Sequence, residues 1–279
     1  MVKHNPIARL LLCCLIVALF GVKTAQAQDF KFAFLTDMHV HSDSTLGQVA
    51  NRLKALPPQI EFIMSGGDNV DIDNLKKTDL ALGEQRLQQL KKLFDQAKKP
   101  YHMAIGNHDR LPRDLRNGKN DFELFESTFG QTYYTFDHKG WKFIVLNSVE
   151  VKDNQYVIGA QQFAWLQDVI NKTKKEQPLV IVSHVPFLSV YYPVLEGRYT
   201  AADTFTNQKQ VFDLFKDHNL KLVLQGHMHL YEEIKVKGGQ FITAGAVSGN
   251  WWQGSFEGTV PGHLEVDIKG QNFSWKYIK

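Results

Sequence analysis

Five apolar runs in this chain end in the same way, and that shared ending constrains the fold more than any other feature. "FAFLT" gives way to Asp37 and His39, "EFIMSG" to Gly67 and Asp68, and "HMAI" to Gly106, Asn107, His108 and Asp109. "LVIVS" is followed by His184, and "LVLQ" by Gly226, His227 and His229. Short apolar runs closed by turn residues read as buried strands. In α/β sheets, ligands gather outside the carboxyl ends of the strands. Five strands would therefore deliver carboxylates, an amide and imidazoles to one crevice. The adjoining glycines let the backbone turn tightly enough to aim them.

The segments between these runs predict helices. "NRLKALPPQ" reads as a helix end, and Leu80–Lys98 carries apolar residues at helical spacing. "FELFESTFG" reads as a helix stopped by Gly130, and "AQQFAWLQDVINKTKKE" and "QKQVFDLFKDHN" as two more. "YYTFDHKGWKFIVLNS" has the pattern of a hairpin turned at Lys139–Gly140, and the tail "GHLEVDIKGQNFSWKYI" that of strands joined by turns. Alternating strands and helices with added hairpins imply a mixed α/β sheet system.

Residues 1–27 stand apart. Lys3 and Arg9 precede the apolar run "LLLCCLIVALFGV", and "AQA" places Ala25 and Ala27 at small-residue cleavage positions. This predicts a cleaved signal peptide, 1–27, ahead of a single domain, 28–279. The run falls short of the ~20 residues of a spanning helix, so no membrane span is expected after cleavage. An exported protein, periplasmic or secreted, follows. Cleavage removes Lys3, Arg9 and Lys23 but no acidic residue, so the formal charge of +3 falls to zero. A broad nucleic-acid face is not expected, and no protein partner is implied. Both cysteines, Cys13 and Cys14, leave as well. Any metal site must then be built from His, Asp, Asn and Glu.

The blocks "DMH", "GDNVD", "GNHD", the histidine of "VSHVP" and "GHMH" resemble, in kind and order, the calcineurin-like metallophosphoesterase superfamily. The resemblance extends over essentially all of 28–279. It implies a four-layer α/β/β/α sandwich with mixed sheets and two metal ions between the sheets. Carried over position by position, one ion would be held by Asp37, His39, Asp68 and His229. The other would be held by Asp68, Asn107, His184 and His227, with Asp68 bridging. Imidazole, carboxylate and amide donors suit Mn, Fe or Zn. Two such ions ~3.5–4 Å apart can generate a bridging hydroxide and clamp a phosphoryl group during in-line attack. The family pattern makes His108 the residue that neutralises the leaving oxygen, and Asp109 is expected to orient its ring. His41, His102, His138, His218 and His263 read as structural histidines, with His41 nearest the metal loop.

Two departures narrow the expectation. Purple acid phosphatases place a tyrosine where this chain has Asp71. The Ser/Thr protein phosphatases carry "GDxVDRG" and "GNHE", where this chain reads "GDNVDID" and "GNHD". What remains is nearest to the branch containing cyclic-nucleotide phosphodiesterases. The expected function is exported, dinuclear-metal hydrolysis of a small phosphodiester substrate. The alternatives are a phosphomonoesterase (nucleotidase-like or acid-phosphatase-like) and a metal-free binding protein on the same fold. Arg110, Arg113 and Arg116 either grip a phosphate or form a solvated basic loop. Tyr191, Tyr192, Trp251 and Trp252 either stack on the substrate at the rim or pack beneath their loops.

Overall fold

The computed structural model of the chain describes residues 27–116 and 121–279, without the side chain of Arg113. The expected leader, apart from Ala27, lies outside the described residues. Among those residues, no helix is long and apolar enough to cross a membrane.

Two mixed sheets form the centre. The first has the order β13 (Asn272–Ile278), β12 (His263–Lys269), β1 (Phe30–Leu35), β2 (Ile60–Ser65), β3 (Tyr101–His102), with β1, β2 and β3 parallel. The second runs β10 (Glu232–Val236), β11 (Gly239–Thr243), β9 (Leu220–Gln225), β8 (Leu179–Ser183), β5 (Trp141–Val145), β4 (Tyr134–His138). Its four inner strands are parallel and its two edge strands antiparallel. A separate hairpin, β6 (Glu150–Lys152) with β7 (Gln155–Val157), turns through Asp153 and Asn154, both at positive φ. The sequence reading assigned no element there. The hairpin expected at Lys139–Gly140 joins β4 to β5, and both turn residues have positive φ.

Side-chain alternation explains the layering. Phe30, Phe32 and Phe34 of β1 join Phe62 and Met64 of β2, Phe143 and Val145 of β5, and Leu222 and Leu224 of β9 in one buried cluster between the sheets. Phe32 stacks on Phe62 at 5.0 Å, and both meet Phe143 edge-on at 5.5 and 5.4 Å. Each such pair contributes ~0.5–1.5 kcal/mol beyond the area it buries. The intervening residues, Ala33 and Leu35 of β1, Ile63 of β2, Ile144 of β5 and Ile181 of β8, face the other way. They pack under α1 (Asp43–Ala55), α2 (Leu80–Gln96) and α4 (Ala160–Lys172), while α3 (Glu123–Phe129) adds Phe125. The result is the α/β/β/α order. Helix α1 starts where Ser42 and Thr45 form a capping box. The helix expected over "QKQVFDLFKDHN" is regular only at α5 (Gln208–Asp213). Beyond it, Phe215, Lys216 and His218 donate to carbonyls three residues back, and the chain tightens into turns.

Two histidines read as structural are held neutral by packing. His102 stacks flat on Phe136 at 3.5 Å, and His263 is almost fully buried. Burial, with His138 near the first and Arg52 near the second, pushes both imidazoles down to about 4. A histidine depressed in the folded state contributes stability that is present above its unfolded value near 6.5 and is lost as pH falls toward 4. The chelated protein should therefore show a falling Tm between pH 6.5 and 4. His102→Phe should flatten part of that slope in pH-dependent thermal unfolding.

Candidate metal centre

The carboxyl ends of β1, β2, β8 and β9, with the loop after β3, converge on one site. Five of the seven expected ligands, Asp37, His39, Asp68, His227 and His229, have positive φ. Non-glycine residues rarely adopt that region, and such strain collects at functional sites. The turns are also crowded. A β-carbon on Gly106 would lie 2.0 Å from the Asp68 backbone nitrogen, and one on Gly226 would lie 2.1 Å from Thr36 Oγ1. Only glycine lets these turns press against the ligand loops.

The structure brings all seven residues together. Donor atoms of Asp37, His39 and His229 lie within 4.8 Å of one another, as do those of Asp68, His184 and His227. His39 Nε2 and His229 Nε2 are 3.1 Å apart, and Asn107 Oδ1 is 3.1 Å from His184 Nε2. Asp68 links the two groups. Its Oδ1 accepts the His108 backbone N–H at 2.8 Å. Its Oδ2 lies 3.0 Å from His184 Nε2 and 3.6 Å from His39 Nε2, so one oxygen faces both clusters.

Three of the four imidazoles are aimed by a partner on their other nitrogen. His39 Nδ1 bonds Asp71 at 2.6 Å, His184 Nδ1 bonds the Gly66 carbonyl at 2.9 Å, and His229 Nδ1 bonds the Gly249 carbonyl at 2.6 Å. Such partners fix the tautomer and leave Nε2 free to ligate. Asp71, the departure from the purple-phosphatase pattern, thus serves the site as the carboxylate behind His39. His227 Nε2 lies 3.5 Å from Asp203, and its backbone N–H donates to both Asp37 oxygens at 3.1 Å.

The electrostatics fit a cation site. Burial would raise the Asp37 carboxyl, yet His229 holds it down at about 2. Asp68 is held well below its ordinary value, since His184 and His108 outweigh burial. Burial opposes protonation of His184, but Asp68 raises it to about 9. Two anions balanced by imidazoles that take up protons are a donor set that bound metal ions would neutralise, releasing those protons. These residues fit two ions of the Mn, Fe or Zn kind.

His108 stands beside the clusters, with its ring 5.0 Å from that of His39. The expectation for Asp109 is corrected. Its carboxylate accepts the N–H groups of Asn69, Val70 and Gly106 and the Asn69 side-chain amide, at 2.8–2.9 Å. It is buried, pushed up to about 7 by desolvation and by Asp68, and serves to tie the second and third loops together. The group that orients His108 is Asp73, whose Oδ1 lies 2.8 Å from His108 Nδ1. Adjacency in sequence pointed to Asp109, but the short helical turn Asn107–Asp109 sends the two side chains apart.

A cleft of about 210 Å³ opens over Asp68, His108, His227 and His229, walled by Tyr191, Tyr192, Asp203, Trp251 and Phe256. Of the two readings left open for the four aromatic residues, Tyr191, Tyr192 and Trp251 take the rim. Trp252 takes the other: it packs inward, and its indole N–H donates to the His39 carbonyl at 3.1 Å. Among the described residues, Arg110 and Arg116 of the basic loop do not line the cleft. Arg110 pairs with Asp121 at 2.5 Å, and Arg116 donates to the Leu111 carbonyl at 2.7 Å. Arg113's side chain is outside the described residues. His41 bonds the His39 carbonyl at 3.0 Å and stays outside the clusters. Asp73, Asp203 and Phe256 escaped the sequence reading. Asp73 could have been found from the alternating acids of "DNVDID", whereas Asp203 and Phe256 sit in loops without a pattern. A larger cavity, about 800 Å³, lies beside Lys142 and Pro178 at the opposite ends of β5 and β8.

Fold and site together define an α/β/β/α sandwich with a candidate two-ion centre at the carboxyl ends of its strands. The calcineurin-like phosphoesterase family matches residues 30–231, and the chain belongs to that family. Purple acid phosphatase 13 of Arabidopsis thaliana is 28% identical over 145 residues, which is 49% of this chain and 25% of that protein. The chain therefore matches only about a quarter of that relative's length. A dimetal phosphatase from Danio rerio superposes with a TM-score of 0.65 at 13% identity, covering 89% of this chain and 96% of that one. The purple acid phosphatase of yellow lupin (Lupinus luteus) gives 0.59 at 13% identity, covering 91% and 52%. GAP50, the anchor in the inner membrane complex of Plasmodium, gives 0.59 at 16% identity, covering 90% and 84%. At these identities the structural likeness speaks for the fold alone.

Proposed function

We propose that this chain is an exported phosphoesterase that hydrolyses a small phosphodiester at a dinuclear metal centre. Two bound ions would supply Lewis acidity and a nucleophile at neutral pH. The chain's own residues do the rest. Asp68 holds the two halves of the site in register, and the partners of His39, His184 and His229 keep their rings aimed. His108, with its Nδ1 on Asp73, presents its other nitrogen to the cleft side as the proton donor for a leaving oxygen.

The observation that carries the diester reading is the cleft's composition. Among the described residues, its lining includes four aromatic side chains and no lysine or arginine. Besides His108, a monoester dianion would meet no described lysine or guanidinium there, whereas the second ester group of a diester has an apolar wall to rest on. In the Mn-loaded protein, kcat/KM for bis(p-nitrophenyl) phosphate should exceed that for p-nitrophenyl phosphate. A clear monoester preference would move the enzyme to the phosphatase side. That second reading is favoured by the likeness to purple acid phosphatase 13. Export carries its own test. Mass spectrometry of the native protein should find an N-terminus at Gln28, and a chain still bearing Met1 would overturn it.

A further inference from the structure

The aromatic residues of the cleft meet as a corner rather than a flat shelf. Trp251 and Phe256 lie 6.1 Å apart at 90°, Phe256 and Tyr191 6.3 Å apart at 12°, and Tyr191 and Tyr192 5.0 Å apart at 71°. Trp251 is held there against its own backbone preference. It and Trp252 both have positive φ, at 46° and 67°. A bulky residue in that region is a genuine outlier, and two in succession persist only if the surroundings fix them. They are fixed by the Trp252 N–H on the Ser248 carbonyl at 2.7 Å and by the indole bond to His39. Trp251 nevertheless remains 42% exposed, its ring 4.3 Å from that of His229.

Carboxylates surround this corner, one of them, Asp203, 3.5 Å from His227 of the candidate metal site. Asp203 lines the cleft and bonds the Tyr192 hydroxyl. Besides burial, Glu196, Glu257 and Asp203 all act on the Tyr191 hydroxyl to raise it. Against these three carboxylates stands Arg198, which does not line the cleft and is paired with Glu196 at 2.5 Å. Its guanidinium lies 4.4 Å from the centre of the Tyr192 ring, so a cation already rests on one face of this cluster. Aromatic faces meeting at an angle, with carboxylates behind them, attract ammonium groups. They offer nothing to a second phosphate.

We infer that the cleft selects phosphodiesters whose second alcohol is an amino alcohol, with its quaternary or protonated amine against Trp251, Phe256 and Tyr191 and its charge balanced by Asp203. This rests on the diester reading above. The reaction is hydrolysis: the oxygen of water bonds to phosphorus, one P–O ester bond breaks, and the proton from water ends on the released alcohol.

The test compares p-nitrophenylphosphorylcholine with p-nitrophenyl 3,3-dimethylbutyl phosphate on the metal-loaded protein. The two share leaving group, phosphate and shape, and differ only in a carbon replacing the charged nitrogen. The choline ester should be favoured at least about tenfold in kcat/KM. Trp251→Leu should bring the ratio toward one. Because both substrates are read on one preparation, a loss of folded enzyme cancels. A wild-type ratio near one overturns the inference, as does preference for thymidine 5′-(p-nitrophenyl phosphate), which would mark a base-stacking site. If only p-nitrophenyl phosphate is turned over, the diester reading has failed. The ammonium inference is then decided by tryptophan-fluorescence titration with phosphorylcholine and 3,3-dimethylbutyl phosphate, where equal Kd values overturn it.

Discussion

Asp68→Ala is expected to purify with neither metal ion and to lose activity by ~10³-fold or more. The argument begins with one oxygen. Asp68 Oδ2 lies close to histidines of both clusters, while Oδ1 is committed to the His108 backbone N–H. Removing the side chain takes a shared anionic donor from each half of the site. It also leaves His39 and His184 facing each other without the charge between them. Lewis-acid stabilisation is worth several kcal/mol, and each 1.36 kcal/mol is tenfold in rate, which sets the scale of the loss. Elemental analysis after reconstitution with Mn, Fe or Zn measures the first outcome, and diester turnover the second. Two ions retained in Asp68→Ala would show that the clusters bind independently, and the bridging assignment would fall. A wild-type protein that takes up no metal at all would instead favour the binding-protein alternative.

The depth to which sequence foretold this site follows from backbone against side-chain reach. Every expected ligand lies within a few residues of a strand end. An apolar run fixes where a strand stops, and the glycine beside it fixes the turn, so the ligands could be placed from sequence. The pattern of runs predicted only a mixed sheet system flanked by helices, and the four-layer sandwich came with the family resemblance; the structure shows its basis in β1, where Phe30, Phe32 and Phe34 enter one core and Ala33 and Leu35 the other. What failed was inference from adjacency. Asp109 follows His108, and Trp252 follows Trp251, yet in each pair the two side chains diverge. One faces the cleft, and the other braces the loop from beneath. Asp73 and Asp203 reach the site from loops, 35 residues from His108 in the first case, and loop conformation is set by tertiary packing that a run of residues does not encode.

The division of labour between Asp73 and Asp109 yields the second large effect. His108→Ala should keep both metals and lose ~10²–10⁴-fold in kcat with an alkyl leaving group, the usual range for a proton donor. With p-nitrophenol leaving, which needs little protonation, the loss should be smaller. Burial disfavours the charged form of His108, but Asp68, Asp73 and Asp71 together raise it to about 10. A general acid works while protonated, so activity falls as pH rises through that value. Asp73→Asn removes one of the charges that raise it and must shift this basic limb to lower pH. Bound cations lower the value further without changing the sign of the Asp73 effect. The same substitution at Asp109 should leave the limb in place and lower Tm, because the new amide cannot accept the four N–H groups that now converge on the carboxylate. A shifted limb in Asp109→Asn with none in Asp73→Asn would restore the sequence-based assignment. The pH profiles of the two variants, read beside their melting curves, separate a residue that positions the proton donor from one that holds the loops on which the donor stands.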